Sequence, residues 1–216
     1  MNAIKGKNKV IIPVVLVALA SIFFISWKMG ERKSLSPIEY VKWVQDDKNG
    51  LNIKKGMGNV SFSIQYQPAG YLVANEEKDP HLRTLVFNKK MEKYIDLEYY
   101  AVRIESKENK DVLTVNLDKQ EDYYARENYY SFEFQNDIIM IEGKDTLGCA
   151  MFNFIPSYGL SPHIDFVVAF VKSKEEKEKA AHDRQLVIDD RIMGDGLLKF
   201  EIKKDDINNI PSIITY

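Results

Sequence analysis

From Val10 to Trp27 the chain reads VIIPVVLVALASIFFISW, a run without a single charge. As a helix it would rise about 27 Å, close to the ~30 Å hydrocarbon thickness of a bilayer. Lys5, Lys7 and Lys9 precede it, and Trp27 with Lys28 closes it with an interfacial aromatic and a snorkelling cation. The run therefore reads as a transmembrane signal anchor. A cleaved signal peptide is the alternative, with Ala18-Leu19-Ala20 as its small-residue cleavage site and a secreted product. Cleavage there would leave the apolar SIFFISW at the new N-terminus, which makes better sense as the second half of a span. Pro13 suits a membrane helix better than a soluble one, which disfavours the third reading, a buried core helix.

The expected organisation is a basic tail over residues 1–9, a single span over 10–28, a juxtamembrane linker over 29–35 and one mostly β domain over 36–216. Basic residues flank both ends of the run, so charge bias alone does not orient it. A short lysine-rich N-terminus before a large C-terminal region favours a cytoplasmic N-terminus and an extracytoplasmic domain.

Net charge narrows the partners. At -2 over 216 residues the chain lacks the basic footprint that phosphate-backbone binding needs, which argues against nucleic acid. One cysteine, Cys149, permits no internal disulfide and no cysteine-based metal framework. Twelve Tyr and eleven Phe among many β-branched residues tilt the chain toward strands.

Beyond the linker, Ser36-Pro37-Ile38-Glu39 has the form of a capping box and predicts a helix to about Val44 or Gln45, with Ile38, Val41 and Val44 on its apolar face. Asp46 to Gly50 should stop it. Asp47, Asn49 and Gly50 echo a calcium loop, but its first and twelfth positions fall on Gln45 and Gly56, so a helix-terminating turn is the better account. Val60, Phe62, Ile64 and Tyr66 alternate with polar residues as a half-buried strand does. Tyr71 to Ala74 could return as its hairpin partner, and Leu85 to Phe87 leads toward a longer strand. In that strand Ile95, Leu97 and Tyr99 oppose Val102 and Ile104 in parity, which suggests a bulge near Tyr100.

Leu113, Val115 and Leu117 alternate again. Asp118 and Glu121 form a second capping pattern, predicting a short helix to about Glu127. Tyr130, Phe132 and Phe134 resume the period of two, and Ile138 to Ile141, Cys149 to Ile155 and Phe166 to Val171 read as central strands. Leu186 to Ile188 and Leu198 to Ile202 form a last pair across Gly194-Asp195-Gly196, before a helical turn at Asp205 to Asn209. The expectation is a mainly β fold: an antiparallel β-sandwich or partly open barrel with one to three short helices, preceded by a transmembrane helix. An α+β domain is the alternative.

Candidate chemistry is thin. Cys149, His163 and Asp165 are a conceivable nucleophilic set, but Cys149 lies in an apolar run where an inert buried thiol is the common outcome. His81, His163 and His182 show no paired metal spacing, and Asp189-Asp190, adjacent in sequence, would point to opposite faces of a strand. No catalytic, metal or cofactor residues are therefore expected. Three tyrosine doublets remain, and one ring of each should face away from the core, which makes Tyr100, Tyr124 and Tyr129 candidates for a binding surface. The expected function is a membrane-anchored noncatalytic binding or assembly module of the cell envelope. Its partners would be membrane lipid through Val10 to Trp27 and another envelope protein. A membrane-tethered enzyme and a carbohydrate-binding β domain stacking glycans on tyrosine are the alternatives.

Overall fold

The computed structural model describes residues 33–117, 119–172, 180–193 and 196–216. The unit from Leu35 to Tyr216 is the domain discussed below.

Its first helix, α1 (Pro37–Gln45), begins as the capping pattern predicts: Glu39 accepts from both the Ser36 backbone N–H (3.1 Å) and the Ser36 hydroxyl (2.7 Å). The buried stripe is Pro37, Tyr40 and Val44, whereas Ile38 is 43% exposed, so the apolar face is rotated from the expected one. A 3-10 turn over Asp47–Asn49 and Gly50 at φ 73° end the segment. A Cβ at Gly50 would also collide with the Asp206 carboxylate. The acidic stretch is thus a helix-ending turn.

Two open antiparallel sheets follow. The five-stranded sheet has the order β1-β2-β3-β7-β6, with β1 (Asn52–Met57), β2 (Val60–Gln67), β3 (Leu97–Ser106), β6 (Met151–Ile155) and β7 (His163–Val171). The four-stranded sheet has the order β9-β8-β4-β5, with β4 (Ile138–Glu142), β5 (Asp145–Gly148), β8 (Arg184–Ile188) and β9 (Leu198–Ile202). Helices α2 (Ala69–Glu77), α3 (Thr84–Met91), α4 (Gln120–Asn128) and α5 (Lys204–Asn208) interrupt the strands. One apolar cluster draws on both sheets, with Phe62, Val102 and Phe166 from the first and Met140, Ile188 and Phe200 from the second, all fully buried.

Several strand expectations are corrected. Tyr71 to Ala74 belongs to α2, not a hairpin: Pro68 starts the helix without needing a donor, and Tyr71, Val73 and Ala74 turn inward. Leu85 to Phe87 lies in α3. Leu113 sits in a 3-10 turn over Val112–Thr114, opened by Asp111 accepting from Leu113 N at 3.1 Å. Tyr130 to Phe134 is helical, a π turn over Tyr129–Glu133 followed by a 3-10 turn over Phe134–Asp137. Tyr130 and Phe134 are buried and Phe132 is 67% exposed, a spacing of four that a period of two also fits. β3 keeps unbroken register with both neighbours, so no bulge occurs at Tyr100. Tyr99 is buried although it points away from the core, because Tyr94 packs edge-on against it at 5.5 Å. Cys149 lies in the connection between β5 and β6, and β6 is an edge strand rather than a central one.

The expected helix before Tyr129 is present as α4, starting after Lys119, while Asp118 itself lies outside the described residues. The β8–β9 pair and the closing turn α5 are also present. Residues 194 and 195 of the expected connection, and 173–179 of the charged segment before β8, lie outside the described residues.

The fold class changes accordingly. A β-sandwich or partly open barrel with one to three short helices is replaced by a mixed α/β domain with open sheets and, among the described residues, five α-helices. The membrane assignment is corrected as well. Among the described residues no helix is long and apolar enough to cross a membrane, the longest having nine residues, about 14 Å of rise. The run from Val10 to Trp27 lies outside the described residues. The transmembrane helix, the single-pass topology with an extracytoplasmic domain, the lipid partner and the membrane-anchored envelope role all depend on that run, and the described structure supports none of them.

Candidate functional site

Strand parity builds the site. In the five-stranded sheet one set of alternate side chains enters the core, and the other set forms an outer face in two adjoining rows. Lys54, Ser63, Arg103, Asp165 and Ile155 are in register in one row; Asn52, Gln65, Ala101, Val167 and Asn153 are in register in the next. Short side chains at Ala101 and Val167, mid-row, and at Ser63 in the adjoining row, lie beside the longer Lys54, Gln65 and Arg103. A cleft of about 640 Å³ opens there, with Gln67 and Asp47 completing its lining. This volume is within the range of small-molecule sites.

Its charges are organised in pairs. Arg103 grips Asp165 with both arms of its guanidinium, Nε to Oδ1 at 2.6 Å and Nη2 to Oδ2 at 2.9 Å. Lys54 Nζ donates to Glu105 Oε2 at 2.6 Å. That hydrogen bond, together with the lysine and arginine charges, holds the Glu105 carboxyl below its usual range, and the hydrogen bond to Asp165 holds Arg103 above its own. His163 Nε2 lies 3.7 Å from Asp165 Oδ2 at the end of the same strand face. Between the charges, Gln67 Nε2 donates to Gln65 Oε1 at 3.3 Å, and both side chains line the cleft. Asn52 is tied back to the Val44 carbonyl at 2.9 Å, which fixes the α1–β1 corner beside Asp47.

Two buried polar clusters lie apart from the cleft lining. Arg184 (β8), 1% exposed, donates to both oxygens of Glu98 (β3) at 2.8 and 2.9 Å and lies 3.1 Å from Glu142 (β4), so it joins the two sheets. At the π turn, the Tyr130 hydroxyl donates to Asp190 at 2.8 Å, and the N–H groups of Ile192 and Met193 donate to the same carboxylate at 2.7 and 2.8 Å. Burial raises the Asp190 carboxyl above its ordinary range against those hydrogen bonds. Beside it, the Tyr129 hydroxyl and Arg191 both donate to Asp137, at 2.9 and 2.7 Å. Burial pushes both tyrosine hydroxyls upward in pKa.

The tyrosines singled out from the sequence separate. Tyr100 is fully buried, with its hydroxyl 3.4 Å from Glu98 Oε2, and Tyr129 is 5% exposed. Tyr124, on α4, is 62% exposed and packs edge-on against Tyr123 at 5.8 Å. Cys149 and His163 are not brought together. Ala150 N bonds to Ala169 O, six residues along β7 from His163, or about 20 Å of strand. Burial raises the Cys149 thiol, whose hydrogen points to the Met151 carbonyl at 2.9 Å, so the group is held as a thiol. Among the described residues no three His, Cys, Asp or Glu side chains are grouped to hold a metal.

Sequence reasoning missed the buried arginine cluster. Its signal was present: Glu98 shares parity with Tyr100 and Val102, Glu142 with Ile138 and Met140, and Arg184 with Leu186 and Ile188. A charge on the apolar face of each of three strands asks for mutual pairing. The cleft left a fainter mark, the small Ala101 on the polar side of β3.

No family model and no curated protein matches the chain. A crystal structure of a novel protein of unknown function from Burkholderia pseudomallei is similar over 82% of this chain and 94% of that one, at 11% identity and a TM-score of 0.39. That likeness is too distant to carry any argument.

Proposed function

We propose that this domain is a receptor for a small polar molecule, held in the cleft on the outer face of the five-stranded sheet without chemical conversion. The cleft carries the reading: Ser63, Ala101 and Val167, all short, open a concavity beside the longer Lys54, Gln65, Gln67 and Arg103, in a lining that mixes polar and apolar side chains. Amides and paired ions suit reversible hydrogen bonding. Cys149, next to Ala150 at the Ala169 end of β7, and His163, at the start of β7, are the nucleophile and base considered in the sequence; they lie far apart, and nucleophilic catalysis needs them within hydrogen-bond reach.

A polar-solute library titrated into isotopically labelled protein tests the reading by NMR. Binding should shift the amides of Gln65, Ala101 and Val167. Ala101→Phe, which fills the cleft from the solvent side of the sheet, should abolish those shifts while leaving the fold intact. Shifts confined to other surfaces, or unaffected by Ala101→Phe, would refute it.

A further inference from the structure

The charges around this cleft also select the kind of molecule it accepts, an inference that rests on the cleft being the binding site. Arg103 is held on both arms by Asp165, and Lys54 by Glu105. An incoming carboxylate or phosphate would have to displace one of these carboxylates and leave it without its cation, close to the anion it had just admitted. The Asp47 carboxylate, on the exposed 3-10 turn after α1, also lines the cleft and has no partner among the described residues. Both cations of the lining, Lys54 and Arg103, are thus already matched by a carboxylate, and the lining carboxylate left over is Asp47. The Gln65–Gln67 amide pair in the same lining keeps an amide donor and an amide acceptor beyond the bond between them.

We propose that the ligand is an organic amine, with its ammonium group at Asp47 and a hydrogen-bonding group on the Gln65–Gln67 amides. Attraction to an exposed carboxylate is modest, so the ammonium should improve binding over a hydroxyl by up to about fivefold, and less at high salt.

Three four-carbon probes that differ only in their ends test this on the full chain: putrescine, butanediol and succinate, each titrated while the amides of Gln65, Ala101 and Val167 are followed by NMR. Putrescine should bind most tightly and succinate least. Asp47→Asn should erase the margin of putrescine over butanediol by weakening putrescine the more, and Ala101→Phe should abolish binding of both. Equal binding of putrescine and butanediol to the wild type would overturn the amine assignment and leave the cleft reading standing, and so would a margin that survives Asp47→Asn. Tighter binding of succinate would also overturn it, in favour of an anion site. Absence of any probe from the cleft would overturn the amine assignment; the broader solute library then decides the cleft reading separately.

Discussion

Two arginines in this domain meet carboxylates in the same forked geometry, and their surroundings make them different devices. Arg184 with Glu98 and Glu142 is sealed in the core, whereas Arg103 with Asp165 lies on the outer sheet face with side chains 45% and 29% exposed. In water an ion pair gains little, because solvent competes for both partners and salt screens them. Once buried, neither partner can return to solvent, so each depends on the other being present. The same contact is therefore a fixed structural joint at Arg184 and an exchangeable surface feature at Arg103.

Arg184→Ala should have the largest effect, about 3–5 kcal/mol of lost stability, because it leaves two carboxylates in the core without their cation. Chemical denaturation monitored by circular dichroism measures it; a loss under 1 kcal/mol would show that water reaches the cluster. Replacing all three residues at once, as Arg184→Met with Glu98→Leu and Glu142→Leu, should recover most of that loss and could exceed the wild type by about 1 kcal/mol or more, since packed apolar groups carry no desolvation penalty. A triple variant no more stable than the single one would mean that the pairing, not its burial cost, dominates.

The buried carboxyl at the π turn sharpens the comparison through pH. Asp190 has a raised pKa in the folded protein, mainly from burial. Its favourable contribution is complete below the unfolded aspartate value of about 3.9 and is lost as pH rises through the elevated folded value. Asp190→Asn cannot ionise, so its stability relative to the wild type should improve as pH rises from 3 to 7. Paired denaturation curves at the two pH values would show this, and a constant difference would contradict it. Smallest of all, Arg103→Ala should cost below about 1 kcal/mol, and added salt should shrink even that. A larger, salt-insensitive loss would make the two arginines equivalent after all.

How much of this was legible depends on which period the sequence could express. β2 was readable because one face is apolar and the other polar over eight residues, and α1 because its cap is a local hydrogen-bond pattern. Tyr130, Phe132 and Phe134 misled because apolar residues two and four apart satisfy a strand, while the pair four apart also satisfies a helix. Tyr71 to Ala74 was too short for periodicity to decide. The cleft depends on which residues stand opposite one another across five strands, and no local pattern carries that register. Ala101 gains its meaning only beside Val167 and Gln65, far away in the chain. The tyrosine doublets invited a surface reading, and tertiary packing placed Tyr100 and Tyr129 inside.

The outermost strands of the five-stranded sheet are also unlike each other. On β1, Lys54 and Lys55 are exposed, and the Lys55 ammonium reaches across to the Lys199 carbonyl of β9 and sits 5.5 Å from the Phe200 ring centre. One lysine thus occupies an acceptor on the outermost strand of the other sheet while its own strand bristles with charge, and either feature discourages a foreign strand from adding there. At the opposite side β6 reads Met-Phe-Asn-Phe-Ile, with neither charge nor proline, and its last residue is 45% exposed. If heat or denaturant loosens this domain, β6 is the less guarded edge of this sheet, so copies should join strand to strand there before they do at β1, and a lysine in place of Asn153 is the change that hinders it.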